Sequence, residues 1–247
     1  VEHILAAITG SNIDNIIIET NNIEIPILDG SAKIYSKLID KAGIVTQNSK
    51  KDYFEISKKI SFLDEEPGSS LVAVHSDEYK INITIDYDSK ILGKQTATLN
   101  NISNFKSEIA SSRTFCFLHE LEELVNNNLV KGGDINNAIV IVENKISKKK
   151  LHKLQNIFNK SDIQVDKSGY LNNLTLRYQN EPARHKLLDV IGDLTLLGKP
   201  IKGKIHDYHP YDGFLDVKEI VVESSNIGTA KIAKMIGNLF NPSSGWR

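Results

Sequence analysis

Residues 183 to 193, ARHKLLDVIGD, set His185, Asp189 and Asp193 at four-residue intervals among Leu187, Leu188, Val190, Ile191 and Leu194. On a helix, positions i and i+4 are stacked neighbours about 6 Å apart at Cβ, so His185 and Asp189 can reach one ion while Asp193 extends the stripe. Such pairs also arise by chance, and most of those are solvated or simply hydrogen-bonded. The apolar surroundings favour the chelate, because a buried carboxylate needs a partner and a cation is one solution. A catalytic zinc keeps three protein ligands and one open position, with a carboxylate outside the coordination shell to take a proton from water. The opening VEH offers both parts: His3 completes a set of two histidines and one aspartate, and Glu2 stands beside it as general base. An adjacent Glu-His pair is a weak signal by itself, and a solvent-facing Glu next to a core His reads equally well.

The elements that must hold these groups follow from pattern. VEHILAAITG has helical apolar spacing and a Gly stop, and NIDNIIIETN reads as a β-branched strand. IEIPILDGSAKIYSKLIDKAGI reads as an extended piece, a turn at Asp29-Gly30, and a helix capped by Ser31 and closed by Gly43. From about Asp52 the pattern turns to strands, YFEISKKISFL, SSLVAVHS and the alternating YKINITIDYD, so a domain boundary is placed near TQNSKKD. A helix at 103 to 111, an extended RTFCF, a helix at 119 to 127, a Gly132-Gly133 turn and the strand NAIVIV make a second α+β unit. KISKKKLHKLQNIFNKSD reads as an exposed Lys-rich helix. LTLRYQNEPARHKLLDVIGDLTLLG reads as a strand, a helix start at Pro182 and a long helix ended by Gly198.

Composition narrows the function classes. With 247 residues and 40% hydrophobic content the chain can bury a real core. Thirty basic against 31 acidic residues leave no electrostatic footprint for nucleic acid or an anionic membrane surface. The lone Cys116 excludes an internal disulfide and any CxxC metal site, which suits a reducing, cytoplasmic location. No apolar run approaches the ~20 residues of a membrane span. The sequence opens inside a helical pattern without an initiator Met, so an upstream portion is expected.

Taken together, the blocks VEHILAAITGSNIDNIIIETNNIEIPILDGSA, SSRTFCFLHELEEL, KGGDINNAIVIVE and YLNNLTLRYQNEPARHKLLDVIGDLTLLGKPIKG resemble UDP-3-O-acyl-N-acetylglucosamine deacetylase, the zinc amidase of lipid A and hence lipopolysaccharide synthesis. They stand in family order from residue 1 to about 204. The resemblance implies an α+β fold, a two-domain β-α-α-β sandwich with the first domain incomplete, followed by a helical tail. It implies domains at 1 to 48 and 49 to 204, a βαβ insert at about 117 to 142, and a foreign or divergent tail at 205 to 247. It implies that His3, His185 and Asp189 ligate Zn2+, that Glu2 activates water, and that Thr114 helps hold the oxyanion. Asp193 then orients a general acid, Lys186 and Phe115 contact substrate, and Tyr87 stands where an aromatic stacks on the uracil. A soluble monomer acting on a UDP-linked acylated glucosamine is expected. In the insert, Leu121, Leu124, Leu129, Val130 and Val140 would line an apolar passage for the acyl chain; read from the residues alone, they are ordinary core.

Two departures stand out. The family carries further strands ahead of its Glu-His pair, so exposed apolar surface is expected around the first helix. After PIKG the family has a Gly-His motif whose His protonates the leaving amine; here the stretch reads KIHDYHPYDGFLDV, leaving His206 or His209 as substitutes, or as plain surface histidines. The segment HDYHPYDGFLDVKEIVVESSNIGTAKIAKMIG resembles a penicillin-binding transpeptidase, with Ser224-Ser225-Asn226 as its S-x-N. The only S-x-x-K candidates are SNFK at 103 and SKKK at 147, and no K-[ST]-G follows residue 226, so Ser224 and Asn226 read as helix caps. The expected function is zinc-dependent deacetylation, the alternative being a catalytically impaired zinc- or UDP-sugar-binding remnant, or a chimera with a transpeptidase fragment.

Overall fold

The computed structural model describes residues 1 to 63, 68 to 121 and 135 to 210, apart from the side chains at positions 157 and 209. It is a mixed α+β structure built on one large sheet and one parallel strand pair. Helix α1 (Glu2–Gly10) and helix α2 (Lys33–Ala42) come first. Strands β1 (Phe54–Glu55), β2 (Ile60–Leu63), β3 (Ser70–Val74), β4 (Tyr79–Asp86) and β5 (Lys94–Leu99) follow. The short helix α3 (Phe105–Glu108) leads to β6 (Phe115–Phe117) and β7 (Ile139–Ile141). Helices α4 (Lys148–Ile157) and α5 (Glu181–Leu194) and strand β8 (Ile201–Pro210) complete the described part.

The sheet runs in the order β2-β3-β8-β4-β5, with β1 added parallel to the start of β8. Strand β8 is central, antiparallel to β3 and parallel to β4. Alternation in β4 buries Tyr79, Ile81, Ile83 and Ile85, and β8 turns Ile201, Gly203 and Ile205 to the same side. Onto that face packs α5, whose Leu187, Leu188 and Ile191 are fully buried, each contributing about 1.5–3 kcal/mol of transfer free energy. Gly203 leaves room there for Ile56, which a Cβ would meet at 2.7 Å. β6 and β7 pair in parallel, the connection a βαβ unit requires, and a second cluster of Leu118, Leu121, Ile135, Val140, Leu154, Ile163 and Leu171 packs beside them.

Several elements stand as the sequence predicts. The helix at 33 to 42 is entered through Ser31, whose Oγ accepts from the Lys33 amide, and left through Gly43 at φ +83°. α5 runs through a final 3-10 turn to Gly198 at φ +73°. The expected helix at 103 to 111 is a 3-10 turn followed by the four-residue α3. Others differ. Residues 13 to 20 form no strand: Ile16, Ile17 and Ile18 are exposed, and no described strand offers them a ladder. Residues 174 to 179 likewise form no strand. Strand β8 crosses the expected division at 204 without interruption. Residues 122 to 134 and 211 to 247, with Leu124, Leu129, Val130, Ser224 and Asn226, lie outside the described residues; Leu121 and Val140 sit in the second core cluster.

Among the described residues, exposed large apolar side chains cluster between positions 16 and 45. Ile16, Ile17, Ile18, Ile23, Leu38, Ile44 and Val45 are all exposed, Ile17 to 88% and Ile23 to 97%. All of these except Ile23 border a groove of about 1540 Å³ between residues 13 to 26, α2 and the loop that follows it.

Candidate metal centre and active site

α1 and α5 lie against each other so closely that their contact is backbone to backbone. A Cβ on Gly192 would fall 2.3 Å from the Glu2 carbonyl oxygen, so only glycine lets the first turn of α1 reach α5. At the far end Thr9 and Thr195 share a 2.6 Å hydroxyl hydrogen bond, and Thr195 also donates to the Ile191 carbonyl at 2.7 Å. These contacts fix the register of the Glu2-His3 pair against the polar stripe of α5.

The stripe is buried along its length: His185 is 2% exposed, and Asp189 and Asp193 are each 5% exposed. His3 meets His185 edge to face, with ring centroids 5.0 Å apart. One ligand atom each from His3, His185 and Asp189 lies within 4.8 Å of the others, the single such grouping among the described residues. The His185 Nδ1 stands 3.1 Å from the Ser112 carbonyl, so Nδ1 carries the proton and Nε2, 3.4 Å from Asp189 Oδ1, is left as a donor atom. Burial, then the neighbouring His185, pushes His3 down to about 4, so it is a neutral imidazole at pH 7. Two imidazoles and a carboxylate, converging at the foot of α1, fit a divalent cation of the zinc type.

The side chains around the cluster are mostly acidic, with Lys186 as the basic neighbour. The charge of Glu2 acts on both His3 and Asp193. Burial, then the charges of Asp189 and Glu2, pushes Asp193 up to about 8, and its Oδ2 is buried without a hydrogen-bond partner. Lys186 approaches Asp189 Oδ2 at 3.6 Å. Tyr79 on β4 presents a buried hydroxyl that also lacks a hydrogen-bond partner, and burial with the charge of Asp193 raises its pKa.

The sequence profile of the LpxC family, UDP-3-O-acyl N-acetylglycosamine deacetylase, matches residues 1–161 and 153–211. The chain belongs to the LpxC family. It is 47% identical over 205 residues to a bifunctional enzyme LpxC/FabZ of Bacteroides thetaiotaomicron, covering 83% of this chain and 44% of that protein. It is 38% identical over 211 residues to a UDP-3-O-acyl-N-acetylglucosamine deacetylase of Saccharophagus degradans, covering 84% and 61%. A deacetylase of Nitratiruptor sp. is 36% identical over 231 residues, covering 92% and 68%. The chain thus spans about half the length of the bifunctional relative it matches. The transpeptidase-like stretch reaches beyond the profile match, which ends at residue 211.

Within this LpxC framework the remaining expected site residues lie at the start of β6 and just past the end of β4. Thr114 leads into β6, its amide bonded to the Gly30 carbonyl and its carbonyl to the Ile139 amide, both at 2.8 Å. Phe115 follows, and Tyr87 packs edge-on against both Phe115 and Phe117, with centroids 5.7 and 5.8 Å apart. His206 is not brought to Asp193: strand alternation sets it with Lys202 and Lys204 on the face of β8 opposite Ile205. Cys116 takes no part, because burial and then Glu120 push its thiol up to about 12. The sequence reading missed Ser112, Gly192 and Tyr79. Gly192 carried a signal, a glycine inside a helix otherwise rich in Leu and Ile. The other two act through partners distant in sequence.

Proposed function

We propose that this chain is the catalytic part of a zinc-dependent deacetylase that removes the acetyl group from UDP-3-O-acyl-N-acetylglucosamine in lipid A synthesis, in the cytoplasm. The observation that carries the reading is the convergence of His3, His185 and Asp189 beside Glu2 in a chain of the LpxC family. His3, His185 and Asp189 are the residues to hold the ion, which when bound supplies Lewis acidity toward the amide carbonyl.

The chain's own groups do the rest. Glu2 takes a proton from the attacking water as its oxygen bonds to the acetyl carbon. The Thr114 hydroxyl donates a hydrogen bond to the oxygen that gains negative charge. The carbon–nitrogen bond then breaks, acetate departs, and the amine takes a proton from Glu2. Asp193, buried beside Glu2, holds the polar environment through which that proton returns. Lys186 binds the diphosphate as a point charge, and Phe115 and Tyr87 offer the aromatic surface for the substrate.

His206 lies on the far face of the sheet and the side chain of His209 is outside the described residues, so the proton return is assigned here to Glu2. The rate is therefore expected to fall about 10²-fold or more below that of a relative with its Gly-His motif, the usual worth of one general acid. The experiment is acetate release from the UDP-linked substrate by the zinc-loaded chain, by its Glu2→Gln variant, and by a version carrying a Gly-His tail. Release that Glu2→Gln lowers by at least about 10²-fold, and that the tail restores, supports the reading. Release indifferent to Glu2 refutes it.

A further inference from the structure

The least exposed ion pair among the described residues lies outside the roles given above. Glu181 is fully buried in the first turn of α5, and Arg113, 4% exposed, precedes β6. The Glu181 carboxylate accepts from the Arg113 amide at 3.0 Å, from Arg113 Nε at 2.8 Å, from Arg113 Nη2 at 3.1 Å and from the Arg177 amide at 2.5 Å. Arg113 Nη2 also donates to the Thr175 carbonyl at 2.6 Å. Two further guanidinium groups grip the same segment: Arg177 donates to the Ser111 carbonyl at 2.7 Å and Arg184 to the Glu108 carbonyl at 2.6 Å.

Between these anchored residues stands Ser112, whose carbonyl faces His185 Nδ1. The side chain of Ser112 does not hold it there, for its buried Oγ has no hydrogen-bond partner. Its placement depends on its neighbours, and Glu181 grips the very next residue by backbone and side chain together. His185 lies one helical turn beyond Glu181 on the same face. The spacing between the carboxylate and the imidazole along α5 is thereby matched to the spacing between the Arg113 amide and the Ser112 carbonyl.

We propose that the Arg113–Glu181 pair is a positioning device for the metal centre: it sets the Ser112 carbonyl so that His185 keeps one tautomer and presents Nε2 to the cluster. The inference rests on the metal-binding reading above and adds residues to it. A buried ion pair is a poor source of net stability, since an apolar pair of similar volume often serves as well. A carboxylate that accepts four N–H groups does what an apolar pair cannot, which is to fix register between two segments. Groups that orient a ligand's second nitrogen are worth about 10- to 100-fold in metal affinity.

The test compares the full chain with two variants. One is the double variant Arg113→Met/Glu181→Gln, in which the introduced carboxamide keeps an acceptor oxygen for only one of the two backbone amides, since those bond different oxygens of the carboxylate; the other is Arg113→Lys, which keeps the charge but not the fork. Three readouts are taken: circular dichroism, zinc affinity by competition with a chelating dye, and ring-nitrogen NMR of His185 in the metal-free chain. The expected result is folded variants whose zinc affinity falls about 10- to 100-fold, the double variant more than Arg113→Lys, with His185 passing from one tautomer to a mixture. Folded variants that keep both wild-type affinity and a single tautomer overturn the proposal. If the double variant does not fold, Arg113→Lys decides by the same criteria. A wild-type chain that binds no zinc refutes the metal reading instead, and the tautomer comparison then decides the positioning claim.

Discussion

The two ends of α1 open onto contrasting surroundings. At Glu2 and His3 the helix rests on Gly192, faces buried polar groups on α5, and is backed by a segment whose carbonyls are held by Arg177, Arg184 and His185. Beyond Gly10 the chain runs through Ile16, Ile17 and Ile18 exposed to solvent, beside a groove bordered by more exposed apolar side chains. The difference lies in how each region holds its backbone. The first is fixed by hydrogen bonds and a glycine contact that leave one geometry; the second has β-branched residues and no described strand to place them.

The comparison is broken most sharply at Gly192. Gly192→Ala drives a methyl into the Glu2 carbonyl, and overpacking of this kind costs about 1–3 kcal/mol. Denaturant unfolding of the metal-free chain should show that loss, with zinc affinity falling alongside because His3 is displaced.

The next largest effect is on pH dependence. Asp193 has its folded pKa raised from 3.8 to about 8, so the stability that comes with its protonated form is full below the unfolded value and is lost as pH rises through 8. His3 acts oppositely: its folded pKa is lowered from 6.5 to about 4, so the chain loses stability as pH falls from 6.5 toward 4. Below pH 6.5 the two slopes offset; above it Asp193 acts alone. The metal-free chain should therefore lose about 2 kcal/mol between pH 6.5 and 8, at about 1.4 kcal/mol per unit, and Asp193→Asn should flatten that limb. A curve with the same limb in the variant contradicts the assignment of the limb to Asp193.

The smallest effect belongs to the other region. Ile17→Thr and Ile23→Thr change side chains that already face solvent, and their unfolding free energies should stay within about 0.5 kcal/mol of the parent. Binding of a hydrophobic dye should fall in both variants. A destabilisation comparable to that of Gly192→Ala would mean that this face is packed in solution.

How much the sequence disclosed follows the same divide. α1 and α5 were legible because apolar spacing, Pro182 and the closing Gly198 are local signals. The polar stripe of α5 was legible because i,i+4 spacing is local too, and the distant His3 was picked out by the adjacent Glu-His pair together with the family likeness. Residues 13 to 20 misled, since three successive isoleucines signal a strand only when a partner strand exists. The central strand β8 went unread: IKGKIHDYHP hides its period of two behind a glycine, two lysines and two histidines. The Arg113–Glu181 pair and the Ser112 carbonyl had no local signature, since 68 and 73 positions separate them from their partners.

The central claim is that His3, reaching across from α1, closes a metal site with His185 and Asp189. Its most direct test is zinc bound per chain for the purified protein and for His3→Ala, measured by elemental analysis after dialysis against a weak chelator. The account predicts about one zinc per wild-type chain and loss of it from the folded variant. Equal zinc content in the two proteins would contradict it.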